Sequence, residues 1–195
     1  MNRILAWLCV VGGLLWGAKP IYDGLIIGRK LNTGYIPEDP TDYVKFIFPF
    51  LCLSGLMIIH SLYKKKVRIA VILLSAAVIF SGLFHFFEIY FYDSGLPFGF
   101  VFLFFATIGM AVGSIFLFLP LRKMGSNTSL LTWCTLVLFL DNFLLLILAF
   151  MTEILPIEIT NPIMVVLMVS VGFIWASIGL ALLNQVDPVE SQSTK

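Results

Sequence analysis

The sequence has little charge for its length. Of its 195 residues only 12% are Asp, Glu, Lys or Arg, about half the share of an ordinary soluble domain, and the net charge is +1. A chain with so small a charge offers no basic surface to a polyanion. This excludes nucleic-acid binding.

Cysteine is scarce as well. The three cysteines, Cys9, Cys52 and Cys134, stand apart in apolar stretches and form no CxxC or CxxCH motif. This excludes a disulfide scaffold and leaves no basis for covalent haem attachment. The P-loop, dinucleotide-binding, HExxH and GxSxG motifs are absent too, so we expect no cofactor, no metal ion and no catalytic centre of those kinds.

Apolar side chains are what the chain has in excess. Hydrophobic residues make up 60% of it, 19 of them Phe, and the mean hydropathy is +1.03. A soluble protein of this size cannot bury so much apolar surface. The composition therefore predicts an integral membrane protein.

The apolar residues are gathered into stretches of membrane-spanning length. A helix needs about 20 apolar residues to cross a hydrocarbon layer about 30 Å thick. Six stretches qualify, at about residues 4–27, 43–63, 67–88, 98–120, 130–151 and 163–184. We expect an all-α, polytopic membrane protein with one six-helix transmembrane domain over residues 1–184 and a disordered cytoplasmic tail at 185–195.

The basic residues predict the orientation of the bundle. The loop at 64–68 contains four Lys or Arg residues and the loop at 122–123 contains two, whereas the loops at 88–97 and 152–162 contain only acidic charges. Cytoplasmic loops are enriched in Lys and Arg. The loops at 64–68 and 122–123 are therefore expected in the cytoplasm, which with six spans places both termini there.

Asp141 is the most informative polar residue. It lies near the middle of the fifth stretch, beside Asn142, and a central Asp costs about 2.5–3.5 kcal/mol on insertion. Such residues usually face the bundle interior or a water-filled cavity. Two interpretations stay open, a neutral carboxyl that joins helices and a site for a proton, cation or ligand.

Two further polar pairs lie in the first and third stretches. Lys19 and Asp23 flank Pro20 at a spacing of four residues, and His85 and Glu88 are three residues apart on one helical face. Each pair could be a simple ion pair or hydrogen-bonded pair near the membrane surface. Alternatively, the first could line a cavity at a broken helix, and the second could relay a proton.

The rise of an α-helix per residue gives the depth of each of these residues in the membrane, and that depth places them all in one half of it. At 1.5 Å per residue, all of them fall in the outer half, and all lie on the first, third and fifth helices. If these helices face one another, the residues outline a polar pocket that opens outward. The candidate ligand- or ion-binding residues are Lys19, Asp23, His85, Glu88, Asp141 and Asn142.

Small residues form stripes on three of the helices. Helices in lipid associate through close packing, so we expect these stripes to hold the bundle together, with homodimerisation as the alternative. The stripes contain Gly13 and Gly17, Gly109 and Gly113, and Gly172 and Ala176.

Three functions are compatible with this sequence. The first is a small solute- or ion-binding or transport-related protein that uses the outer pocket. The second is an accessory or structural subunit of a membrane complex, whose partner is a membrane protein or a second copy of the chain. The third, an intramembrane enzyme, is less favoured because neither a nucleophile nor a metal set accompanies the polar residues. Short loops favour a bacterial plasma membrane.

Overall fold

The fold is entirely α-helical in the part of the chain that can be described. The computed structural model describes residues 2–23, 40–91, 98–125, 128–151, 154 and 156–193. Two short 3-10 turns, Asp42–Val44 and Lys64–Val67, precede and follow the second helix. The helices are α1 (Asn2–Ile21), α2 (Ile47–Tyr63), α3 (Arg68–Tyr90), α4 (Phe98–Arg122), α5 (Ser129–Met151) and α6 (Ile157–Ser193).

The helices have the length and composition of membrane spans. Within the described ranges, five helical stretches are long and apolar enough to cross a membrane. One of them, Asp42–Tyr90, includes both α2 and α3, because the turn Lys64–Val67 joins the two without a break in helical structure. The prediction of an all-α, multi-pass integral membrane protein in a lipid bilayer is confirmed.

The helix ends differ in places from those that hydropathy predicts. Helix α1 ends at Ile21 and passes into a π-helical turn at residues 22–23, just after Pro20, whose ring cannot continue the hydrogen-bonding pattern. The predicted end at residue 27 lies outside the described residues. Helix α6 continues to Ser193, through most of the stretch predicted as a disordered tail, because helical hydrogen bonds do not require apolar side chains.

The helices pack as a closed ring in chain order. Each of them contacts the next, and α6 returns to pack extensively on α1. Gly13 of α1 lies against Ala176, Gly17 lies farther along against Val169, and Gly179 lies against Val10. Because positions that rise along α1 meet positions that fall along α6, the two helices are antiparallel.

The small-residue stripes make the closest contacts of this ring. A methyl group added to Gly13 would overlap the backbone of Ala176, and one added to Gly172 would overlap the backbone of Gly17. Gly109 and Gly113 of α4 pack closely on α3 in the same way, because side chains at these positions would overlap residues of α3. All three stripes are thus occupied by packing within the chain.

We expect Gly13→Leu to destabilise the protein by at least about 1–3 kcal/mol, because the α1–α6 contact has no space for a side chain. The measurement is thermal unfolding in detergent. Ala18→Leu is the control, since Ala18 lies on the exposed side of the same helix. Equal unfolding temperatures for the two variants would contradict the antiparallel α1–α6 contact.

A second prediction concerns Lys64, which has a φ of 43°. This backbone conformation suits glycine and strains other residues by about 1–3 kcal/mol. Lys64→Gly should therefore raise the free energy of unfolding by about 1 kcal/mol, after the entropic cost of glycine is subtracted. Lys65→Gly, one residue later in the same turn, should lower it instead. If both variants lose stability, the backbone of Lys64 is not strained.

Candidate functional site

One ion pair group lies at the C-terminal end of α1. The Nζ atom of Lys19 is 2.7 Å from Oδ1 of Asp23 and 2.6 Å from Oδ1 of Asp42. Lys19 and Asp23 are 8% and 7% exposed, and Asp42 is completely buried. The ammonium group of Lys19 thus joins α1 to the turn that precedes α2.

A second group joins the same turn to α3. The Nζ atom of Lys45 is 2.7 Å from Oε2 of Glu88, and Nδ1 of His85 lies 3.5 Å from that same oxygen. The latter distance is too long for a strong hydrogen bond. His85 and Glu88 are on adjacent turns of α3, as their spacing predicts, and Glu88 therefore lies between an ammonium group and an imidazole.

The two groups are electrostatically one site. Asp23 and Asp42 both lie close enough to Lys45 to interact with it electrostatically, and Asp23 also interacts with His85. We call this set of six side chains the ionic cluster. Its members are Lys19, Asp23, Asp42, Lys45, His85 and Glu88.

The short segment before α2 makes the cluster possible. Residues 42–44 form a 3-10 turn, so Asp42 and Lys45 leave the backbone one helical turn apart. Asp42 reaches α1 and Lys45 reaches α3. Thr41 occupies the N-cap position of this turn but makes no side-chain cap hydrogen bond.

Aromatic rings surround the α3 side of the cluster. The ring of Phe84 lies 4.9 Å from that of His85, and Phe86 packs on both Phe46 and Tyr90. Gly82 permits α2 to approach this part of α3, because a side chain there would meet the ring of Phe50. The apolar surroundings lower the local dielectric constant and strengthen each ion pair.

Asp141 and Asn142 form a separate polar site in the middle of α5. Asp141 is 6% exposed, the hydroxyl of Ser170 on α6 interacts with its carboxyl group, and Oδ2 has no hydrogen-bond partner among the described residues. The Nδ2 atom of Asn142 donates a hydrogen bond to the carbonyl of Leu138 on the same helix. Within the described part of the chain, no hydrogen bond or ion pair joins either residue to the ionic cluster.

Four of the six predicted site residues are therefore brought together, and two are not. The first, third and fifth helices do not face one another as the single-pocket hypothesis requires. Helix α5 packs on α4 and α6, whereas α1 and α3 both pack on α2.

Sequence reasoning missed Asp42 and Lys45. The predicted second span, at about residues 43–63, begins between them, and charged residues near the end of a span usually face water. The available signal was an acidic and a basic residue three apart in a stretch that can continue the helix. A spacing of three residues puts Asp42 and Lys45 on one helical face, at the start of the second span.

The cluster can exchange partners but offers no assembled metal site. Among the described residues, no group of three or more His, Cys, Asp or Glu side chains could hold a metal ion, and lysine ammonium groups lie between the carboxylates. Ammonium and carboxylate groups in such proximity can bind the opposite charges of a small ion or polar solute. The His85–Glu88 pair can also hold a proton.

Comparisons with protein families, with curated proteins and with solved structures give no match for this chain.

We expect Lys45→Met to destabilise the protein by about 3 kcal/mol, because it leaves the partly buried Glu88 carboxylate without its ammonium partner. The double variant Lys45→Met/Glu88→Leu should recover most of that loss, since it removes both charges. Denaturant titration in detergent measures both. Lys66→Met, at an exposed position, should change stability by less than about 0.5 kcal/mol. If the double variant is less stable than the single one, the pair is not the source of the effect.

Proposed function

We propose that the chain crosses a bacterial plasma membrane six times, with both termini in the cytoplasm. Three observations support this topology. Helices α2 and α3 are distinct helices joined by a four-residue turn, and α1 and α6 are antiparallel neighbours. Helices α3 and α4 are antiparallel too, because Gly109 lies against Ala77 and Gly113 against Leu74, so the basic residues at the start of α3 and at the end of α4 lie at the same end of the bundle. Under this topology the ionic cluster lies in the outer half of the membrane.

The function that the geometry supports best is binding of a small ion or polar solute at the ionic cluster, as part of a transport process. The observation that carries this proposal is the convergence of six ionisable side chains from three chain segments, four of them buried and two half-buried, into one site. Charged residues inside a membrane are costly, and they commonly mark substrate or ion pathways.

Energetics favour a functional reason for the cluster. Buried ion pairs seldom stabilise a protein more than well-packed apolar residues of similar size. A bundle that needed only cohesion at this end could obtain it from the surrounding Phe and Tyr side chains. We therefore attribute the charges to recognition: an incoming cation competes with Lys19 or Lys45 for a carboxylate, and an incoming anion competes with a carboxylate for an ammonium group.

A structural role is the second candidate, and one observation favours it. Lys19 connects α1 to the turn that precedes α2, and Lys45 connects that same region to α3, through contacts of 2.6–2.7 Å. An accessory subunit of a membrane complex could use such a clamp without binding any solute. The small-residue stripes give this candidate less support, because they are occupied within the chain.

Exchanging the charges of one pair separates the two candidates. Lys45→Glu/Glu88→Lys keeps an ion pair between the turn and α3 but moves each charge to the other side. We expect native mass spectrometry of the wild-type protein, extracted in mild detergent from its own membrane, to show a discrete small-molecule mass. The charge-exchanged variant should unfold at a similar temperature and lack that mass.

Asp141→Asn is the control, because no hydrogen bond or ion pair joins Asp141 to the cluster within the described residues, and it should retain the added mass. A wild-type protein that carries no small molecule, with the charge-exchanged variant equally stable, would favour the structural role. An added protein mass would indicate the accessory subunit and identify its partner.

A further inference from the structure

The end of the bundle opposite the ionic cluster contains an open cleft with a cationic lining. The cleft has a volume of about 440 Å³, and it lies where α2 ends and α3 begins. No acidic residue lines it. The lining residues are His60, Ser61, Lys64, Lys65 and Arg68.

The lining side chains are exposed, but the backbone that holds them is anchored. Val67, within the turn, is 1% exposed and belongs to the hydrophobic core. The hydroxyl of Tyr63 donates a hydrogen bond of 2.6 Å to Oε1 of Gln185 on α6. The backbone of the cleft is thus held in place by packing, and the Lys and Arg side chains project from it.

Its immediate surroundings are apolar. Met57, one turn before His60, is 60% exposed, and Ile69 and Ile72, beside and one turn after Arg68, are 64% and 58% exposed. In a membrane protein such side chains face the acyl chains of lipids. The cationic cleft therefore adjoins a hydrocarbon-facing surface, on the same two helices.

From this juxtaposition we infer that the α2–α3 cleft is a binding site for an anionic phospholipid. The phosphodiester group would lie among Lys64, Lys65 and Arg68, and an acyl chain would lie along Met57, Ile69 and Ile72. Lysine and arginine are the usual partners of phosphate, and arginine can bind it with two parallel hydrogen bonds. A free phosphate would use the cations but not the apolar strip.

The test is lipid retention in native mass spectrometry, with phosphatidylglycerol and phosphatidylcholine supplied to the detergent-purified full chain. We expect the wild-type protein to retain phosphatidylglycerol selectively. The variant K65Q/R68Q should bind it roughly tenfold to thirtyfold more weakly, since two cations near an anionic headgroup are lost. The matched control R122Q/K123Q removes two exposed cations from the α4–α5 turn, outside the cleft, and should bind as the wild type does.

Three outcomes would overturn the inference. An equal loss in K65Q/R68Q and R122Q/K123Q would mean that diffuse surface charge attracts the lipid. Displacement of the lipid by glycerol phosphate or inorganic phosphate at matched concentration would mean that the site binds a soluble phosphate. A wild-type protein that retains both lipids equally would exclude a site for anionic headgroups. Thermal unfolding in phosphatidylcholine checks that the variants fold. If K65Q/R68Q does not fold, the single variant Lys65→Gln replaces it in the test.

Discussion

The structure depends on the contact between the backbones of α1 and α6. Helices in a bilayer gain nothing from hiding apolar surface from one another, so they associate where their shapes allow close approach. Glycines on both helices provide that approach, and Ala176 extends it by about one turn. The contact closes the ring, while α1 also packs directly on α2, which holds Lys19 within reach of Asp42.

Burial then determines what the charges can do. An ammonium and a carboxylate that interact weakly in water interact strongly in apolar surroundings, and the loss of either partner becomes correspondingly expensive. The ionic cluster is consequently both a clamp and a potential site of exchange. The cations of the α2–α3 cleft face solvent and headgroups instead, so dissolved salt screens them far more effectively than it screens the buried pairs.

Several features followed from the sequence because they depend on local physics. Lipid forces apolar stretches of this length to form helices, and the spacing of His85 and Glu88 places them one turn apart whatever the tertiary fold. The burial of Asp141 also agrees with the cost of exposing a carboxyl group to hydrocarbon. Nothing in the sequence identified which glycine stripe meets which helix.

The rest depends on contacts between residues far apart in the chain. Asp42 and Lys45 join the site only because α1 and α3 both pack on α2, and hydropathy contains no information about neighbours in the bundle. For the same reason Asp141 seemed to share a pocket with residues that α2, α4 and α6 separate from it. Depth in the membrane can be calculated from a sequence, but position around a ring cannot.

The ring closure also has a consequence for biosynthesis. Helix α1 ends at Ile21 and its partner α6 begins only at Ile157. At a synthesis rate of about 5–20 residues per second, the intervening chain takes roughly 7 to 27 seconds to emerge. Throughout that interval the glycine face of α1 has lipid, or another protein of the insertion machinery, as its only neighbour. Helix α6 thus completes the contact on which α1 depends, and a ribosome that stalls before α6 would leave a bundle that cannot close.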